Sequence, residues 1–218
     1  MTLRCRRGID DEAFGYEPLR TSATFAVNMR DPAIGGTTLL WRRMDHPGFE
    51  HFRLSDDAGV PRLKGVVISK PDDSPLRVDY DIECSEGWQT RIVRIAVEHG
   101  IRSEQLNLTC DARRQWRRDG VHVAALDGCE DVDLSVTPST NTLPIRRLAL
   151  VIGERRAVTA AWIRFPQLVI EPLEQVYERI GDRLYRYSSS GGAFSAELQV
   201  DQFDLVIDYP PAWERVMP

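Results

Sequence analysis

The sequence predicts a mostly β fold, and three observations carry that reading. Period-two alternation of apolar and polar residues recurs in short segments, clearest where Val78, Tyr80 and Ile82 are set against Arg77, Asp79, Asp81 and Glu83. The same alternation returns in Phe194, Ala196, Leu198 and Val200 and again in Leu205, Ile207 and Tyr209, as expected of antiparallel strands with one face on a core and one in water. Glycine-bearing turn signals separate the segments. With 218 residues and 42% hydrophobic content, the chain can form one large β domain with a sizeable core. Periodicity alone supports about a dozen short antiparallel strands with little helix.

Taken in order, residues 1–37 lack periodicity and mix charge with glycine and proline, so a loosely ordered arm is expected ahead of a single β domain over 38–218. Strands over 63–69, 75–84, 88–98 and 103–111 read as a meander. Ser85-Glu86-Gly87 fits a three-residue hairpin with glycine in the left-handed position, Asp119-Gly120 is a type I′ signal, and Ser188–Gly192 makes a longer loop. One short helix is expected where Asn141 or Thr142 caps a turn, Pro144 takes an early helical position and Arg146 and Arg147 fall near the C-terminus. Leu173, Val176, Tyr177 and Ile180 match helical spacing over only two turns, or else form a strand hairpinned through Gly181-Asp182 to Leu184–Tyr187. The hairpin is the reading adopted, partly on the family resemblance given below.

Composition excludes some functions. A net charge of −5 and a pI near 5.5 give no general attraction to nucleic acid or to an anionic membrane. Arg4, Arg6 and Arg7 imitate a signal-peptide start, but Asp10, Asp11, Glu12 and Glu17 stand where an apolar stretch belongs, and no run approaches the ~18 apolar residues of a membrane span. A cytoplasmic protein without a transmembrane segment is expected. Cys84 and Cys110 each end an alternating apolar series and so point at the core. If their strands flank a middle one, two ~4.8 Å spacings separate them, beyond the roughly 7 Å reach of a disulfide. With Cys5 in a polar tail and Cys129 beside acids, four free thiols are expected.

Candidate chemistry is sparse. Glu130, Asp131 and Asp133 could ligate a divalent cation, but on a strand Asp131 and Asp133 share one face and Val132 and Leu134 the other, as at an ordinary half-exposed edge. His46, His51, His99 and His122 are scattered, and no GxSxG element or glycine-rich phosphate loop is present, so neither a metal, a cofactor nor a nucleophilic triad is expected. Arginines interleaved with aromatics are the most suggestive set: Trp41 with Arg43, Trp88 with Arg91, Trp162 with Arg164, and the tyrosines Tyr185 and Tyr187 around Arg186. On strands, Trp41 and Arg43 share a face, as do Trp162 and Arg164. An arginine beside an indole can grip an anion while the ring stacks on a sugar or an acyl chain. The competing reading makes each tryptophan core and each arginine a side chain snorkelling at the sheet edge. Asn141 and Arg146 beside the PSTNT turn, together with Tyr177, complete the candidate ligand-binding set.

Six motifs occur in one order: WRRMDHPGFE (Trp41–Glu50), LDGCEDVDLSVTPSTNTLPIRRL (Leu126–Leu148), AAWIRFP (Ala160–Pro166), EPLEQVYERI (Glu171–Ile180), YRYSSSGGAF (Tyr185–Phe194) and VIDYPPAWERV (Val206–Val216). In these the chain resembles the bacterial putative glycolipid-binding proteins over about residues 38–216. The resemblance implies a single antiparallel, strongly curved sheet, an open or half β-barrel with one or two short helices, like that of the bacterial carriers that shuttle acylated proteins. Those carriers are exported, whereas this chain shows no export signal. The resemblance further implies non-enzymatic binding of a lipid, glycolipid or other amphiphilic small molecule in an apolar hollow of the sheet. Two other classes stay open: a hydrolase or isomerase acting on a small anionic or sugar-bearing substrate in that hollow, with an acid such as Asp133 moving protons, and a protein-interaction module.

Overall fold

The computed structural model describes residues 36–57 and 59–216, so the expected N-terminal arm lies outside the described residues, except that Gly36 and Thr37 already belong to the first strand. The strands are β1 (Gly36–Arg43), β2 (Gly48–Asp57), β3 (Val60–Ser69), β4 (Leu76–Cys84), β5 (Thr90–His99), β6 (Arg102–Cys110), β7 (Trp116–Arg118) and β8 (Val121–His122). After them come β9 (Asp131–Leu134), β10 (Arg155–Arg164), β11 (Val169–Gly181), β12 (Leu184–Ser189), β13 (Phe194–Val200), β14 (Val206–Tyr209) and β15 (Trp213–Arg215). One α-helix, α1 (Thr142–Leu148), stands between β9 and β10.

All fifteen described strands join one sheet in the order β8-β7-β6-β5-β4-β3-β2-β1-β15-β14-β13-β12-β11-β10-β9. The meander falls where alternation places it, and the burial of β4 alternates along its whole length, with Leu76, Val78, Tyr80, Ile82 and Cys84 inward. Residues 173–180 lie in β11 and hairpin into β12. Asp119 and Gly120 both take positive φ, as a type I′ turn requires. At the β4–β5 turn it is Trp88, at φ 64, and not Gly87 that takes the left-handed position. Cys84 and Cys110 end strands that flank β5, and both are buried and free, as is Cys129. Cys5 lies outside the described residues.

The expected purely antiparallel sheet is corrected in one place: β9 pairs parallel with β10. Parallel neighbours need a crossover, and here the connection between them carries α1. Instead of packing on the outside, this connection runs through the interior of the curled sheet, where Ser139, Thr140, Asn141, Thr142, Leu143, Pro144 and Ile145 are all buried. The sheet curls far enough that its edge strand β9 meets β5: the Val132 backbone N–H donates to Thr90 Oγ1 at 3.2 Å. Arg114 closes the seam by donating to the carbonyls of Cys129, Glu130 and Thr90. The crossover segment therefore occupies the deep part of the expected hollow.

A seven-residue helix has little stability of its own, so its surroundings hold it. Tyr177 Oη donates to Asn141 Oδ1 at 2.9 Å, Tyr80 Oη and Ser139 Oγ are 2.7 Å apart, and Thr142 Oγ1 donates to the Asp204 carbonyl at 3.2 Å. Asn141 thus spends its side chain on the sheet and on the Pro138 carbonyl and makes no helix cap. Arg147 donates to both oxygens of Asp131, at 3.2 and 2.7 Å, and Asp131 is only 1% exposed. Burial opposes the Arg147 charge, but Asp131 and Glu130 hold its pKa above the ordinary arginine value. This pair also shows why Asp131 is not at a half-exposed edge: its strand face is the inner one.

Removing Arg147 strands a buried carboxylate. Arg147→Ala is expected to cost about 3–5 kcal/mol, the range for breaking one partner of a buried pair, whereas Arg186→Ala on the outer face is expected to cost under about 1 kcal/mol. Urea unfolding of the two variants beside the parent checks this.

Candidate functional site

The crossover segment does not fill the whole interior. At the end of the sheet where β1, β10 and β12 finish and β13 and β15 begin, a cavity of about 400 Å³ remains. Its lining includes Thr137 and Asn141 from the crossover segment, Asp133 from β9, and Ser189 and Tyr187 from β12. Trp162, Phe194, Tyr209 and Trp213 give it four more aromatic rings, and Arg43 and Asp45 stand on the β1 side. Strand register explains the grouping. Trp162 pairs with Asp133, Ser189 with Phe194, and Arg43 with Trp213, so paired positions of neighbouring strands reach the same end.

Asp133 is the chemical centre of this wall. Gln175 Nε2 donates to Asp133 Oδ2 at 2.5 Å and lies 3.1 Å from Tyr187 Oη. Burial raises the Asp133 pKa to about 6, with the Gln175 bond pulling the other way. Tyr187, Phe194 and Tyr209 meet edge to face, with centroids 5.9, 6.2 and 6.2 Å apart. Arg43 stacks over Trp213 with its guanidinium carbon 4.9 Å from the ring centroid, and its Nε and Nη2 donate to Asp45 at 2.6 and 3.0 Å.

Below the floor lies a second buried acid. Glu50 on β2 is fully buried, Tyr80 Oη donates to its Oε1, and its Oε2 has no hydrogen-bond partner among the described residues. Tyr80 reaches it by lying flat across Gly65, its cross-strand partner, where any Cβ would fall inside the phenol ring. Burial raises the Glu50 pKa to about 8, against the hydrogen bonds of Thr137 and Tyr80. From Tyr80 the contacts continue through Ser139 to Thr137, 2.9 Å from Ser139 Oγ, which lines the cavity.

The residues singled out in the sequence divide. Arg43, Asn141, Trp162 and Tyr187 line the cavity, and Tyr177 stands behind Asn141. Arg164 stacks on Trp162 at 5.2 Å and pairs with Glu171, on the rim. Trp41 lies outside the cavity lining: it is fully buried against Phe52 and donates Nε1–H to the Val206 carbonyl. Trp88, Arg146 and Tyr185 sit at the opposite end, where Arg146 stacks over Trp88 and donates to the Phe203 carbonyl and Arg179 stacks over Tyr185. Arg91 lies near the start of β5, also away from the cavity. Sequence reasoning missed Gln175, Ser189, Phe194, Tyr209 and Trp213, although the motifs quoted for the resemblance contain all five.

A larger trough of about 540 Å³ runs over the outer face of β2–β6, between His51, Lys64, Asp79 and Asn107. It is a shallow, exposed surface of the sheet and holds no buried acid, so it is the weaker site. Among the described residues no group of three or more His, Cys, Asp or Glu could hold a metal ion, and no helix is long and apolar enough to cross a membrane.

Fold and site together define a class: a curled, open β-sheet whose interior carries a helical plug, with an aromatic and polar cavity left at one end. The chain belongs to the Putative glycolipid-binding family, whose profile matches residues 38–215. Its fold is similar to the crystal structure of a DUF1089 family protein from Pseudomonas aeruginosa, at 35% identity and a TM-score of 0.72 over 78% of this chain and 92% of that one. No curated protein matches the chain.

Both raised acids make a pH prediction. In the fold, Glu50 and Asp133 hold protons that the unfolded chain has already released, so between about pH 4 and 8 the native state binds more protons than the unfolded one. These groups therefore stabilise the fold least at high pH. Glu50→Gln removes the larger part and is expected to gain on the parent as pH rises from 5 to 8, on the order of a few kcal/mol at ~1.4 kcal/mol per pKa unit. Urea midpoints of parent and variant across that range test it.

Proposed function

We propose that the protein binds the head group of a glycolipid in the cavity between Asp133, Trp162, Tyr187 and Trp213, without transforming it. The supporting observation is the lining: flat aromatic faces, on which sugar rings stack, beside the hydrogen-bonding Asp133, Asn141 and Ser189. A volume of about 400 Å³ is near the small end of the ~300–1,000 Å³ typical of small-molecule sites, which suits a head group and leaves the acyl chains outside. Family membership supports a lipid-like ligand. The reading places this binding in the cytoplasm, where the buried thiols of Cys84, Cys110 and Cys129 suit a reducing environment.

A second reading rests on one observation, the Asp133 pKa near 6 in the cavity wall, which is the property of a general acid or base working close to neutral pH. Under it the cavity is the active site of a hydrolase or isomerase for a sugar-bearing substrate, and Asp133 moves the proton. The interaction-module reading calls for a filled interior with no cavity, and the cavity at this end disfavours it.

Native mass spectrometry of the purified protein, followed by extraction and identification of any copurified molecule, separates the readings. An intact amphiphile with a polar head supports binding, and conversion of an added glycolipid to product supports the enzyme. In calorimetry with a glycolipid panel, Trp162→Ala is expected to weaken binding by about 1.5 kcal/mol, some tenfold. Arg164→Ala, exposed and already paired, is expected to cost under about 1 kcal/mol. Absence of saturable binding to the parent protein overturns the reading.

A further inference from the structure

Asp133 is a buried carboxylate with no cationic partner among the described residues. Among the described residues its hydrogen-bond partner is the neutral Gln175, and the arginines around the cavity are already engaged: Arg43 with Asp45, Arg164 with Glu171, and Arg147 with Asp131 and Glu130. From β11, β12 and β14 it faces the phenols of Tyr177, Tyr187 and Tyr209, all held protonated by burial. Yet it stays partly open, and the opening is to the cavity. A carboxylate in such a place is costly until a positive charge arrives.

The rings supply the other half of a cation site. Tyr187, Phe194 and Tyr209 stand at interplanar angles of 62°, 74° and 66° to one another, so they form a corner of three mutually steep faces. Trp162 and Trp213 line the same space. Aromatic faces carry negative potential, and several of them around a point is the arrangement that holds an alkylammonium group.

Resting on the head-group reading above, we propose that the cavity takes a cationic head group. Its charge is an amine on a sugar or on a lipid head, held between the Asp133 carboxylate and the faces of Tyr187, Phe194 and Tyr209. The ligand provides the counter-charge that the fold withholds from Asp133.

The test titrates the full chain with glucosamine, N-acetylglucosamine, glucose and choline, reading the fluorescence or the indole N–H signals of Trp162 and Trp213. Glucosamine or choline is expected to bind at least about tenfold more tightly than N-acetylglucosamine and glucose, and this ratio is expected to fall toward one in Asp133→Asn. Choline carries its charge at every pH, so its affinity is expected to drop roughly tenfold from pH 7.5 to pH 5 as Asp133 takes up a proton. Tyr209→Leu provides a second variant, expected to weaken choline severalfold with Asp133 in place. Tighter glucosamine binding identifies an amino sugar, and tighter choline binding identifies a lipid amine. Equal binding of charged and neutral probes, or a charge preference that survives in Asp133→Asn, overturns the inference and leaves the head-group reading standing. If none of the four binds, both fall.

Discussion

The buried pair between Arg147 and Asp131 is the constraint on which the rest of this structure depends. A sheet of this length, curled on itself, has an interior that must be filled, and the chain fills it with the crossover between β9 and β10. That segment brings backbone polar groups and four polar side chains, Ser139 to Thr142, into a place without bulk water. Each of them has to find a partner there, because an unmet buried polar group costs about 1–3 kcal/mol. Arg147 fixes the C-terminal end of α1 to the strand from which the crossover departs, so the helix has one seat against the wall. The hydroxyls of Tyr80 and Tyr177 then reach it from two separate parts of the curled sheet.

The candidate site is what this arrangement leaves over. Because the plug occupies the deep interior, ligand space is confined to one end, and its floor is the polar face of the plug itself. The same packing buries Glu50 and much of Asp133 and raises their pKa values, so the two unusual acids are consequences of how the interior of the sheet is filled. Glu50 is tied to the plug through Tyr80, which Gly65 alone allows to lie flat. The floor of the cavity and the core of the β2–β4 sheet are therefore linked by one hydrogen-bonded chain.

Much of the fold was legible in the sequence because alternation is a local property. Val78, Tyr80 and Ile82 report their face without reference to any other strand, and Asp119-Gly120 reports its turn in two residues. The parallel pairing of β9 and the inward turn of its crossover were not legible. Asp131 and Asp133 alternate with Val132 and Leu134, and both faces of that strand are buried, so polarity pointed the wrong way: the acids face in because Arg147 and Gln175, 16 and 42 residues distant, receive them. Trp41 and Trp162 carry the same local signature of an indole two residues before an arginine. Only the register of the strands beside them decides that one is core and the other a cavity wall. Tyr209 and Trp213 join the site through the return of the chain end to β1, a contact of long sequence separation that no local pattern encodes.

The five tryptophans of the chain offer the most direct test that the cavity above the plug is the binding site. Their indole N–H signals can be followed individually by NMR while an octyl glycoside, with and without an amino group, is added. Trp162 and Trp213 line the cavity, Trp41 and Trp116 are buried and bonded to carbonyls, and Trp88 stands at the far end. Saturable shifts of Trp162 and Trp213 with the other three still are the expected result. Shifts confined to Trp88, or to His51 and Asn107 on the outer trough, would contradict it.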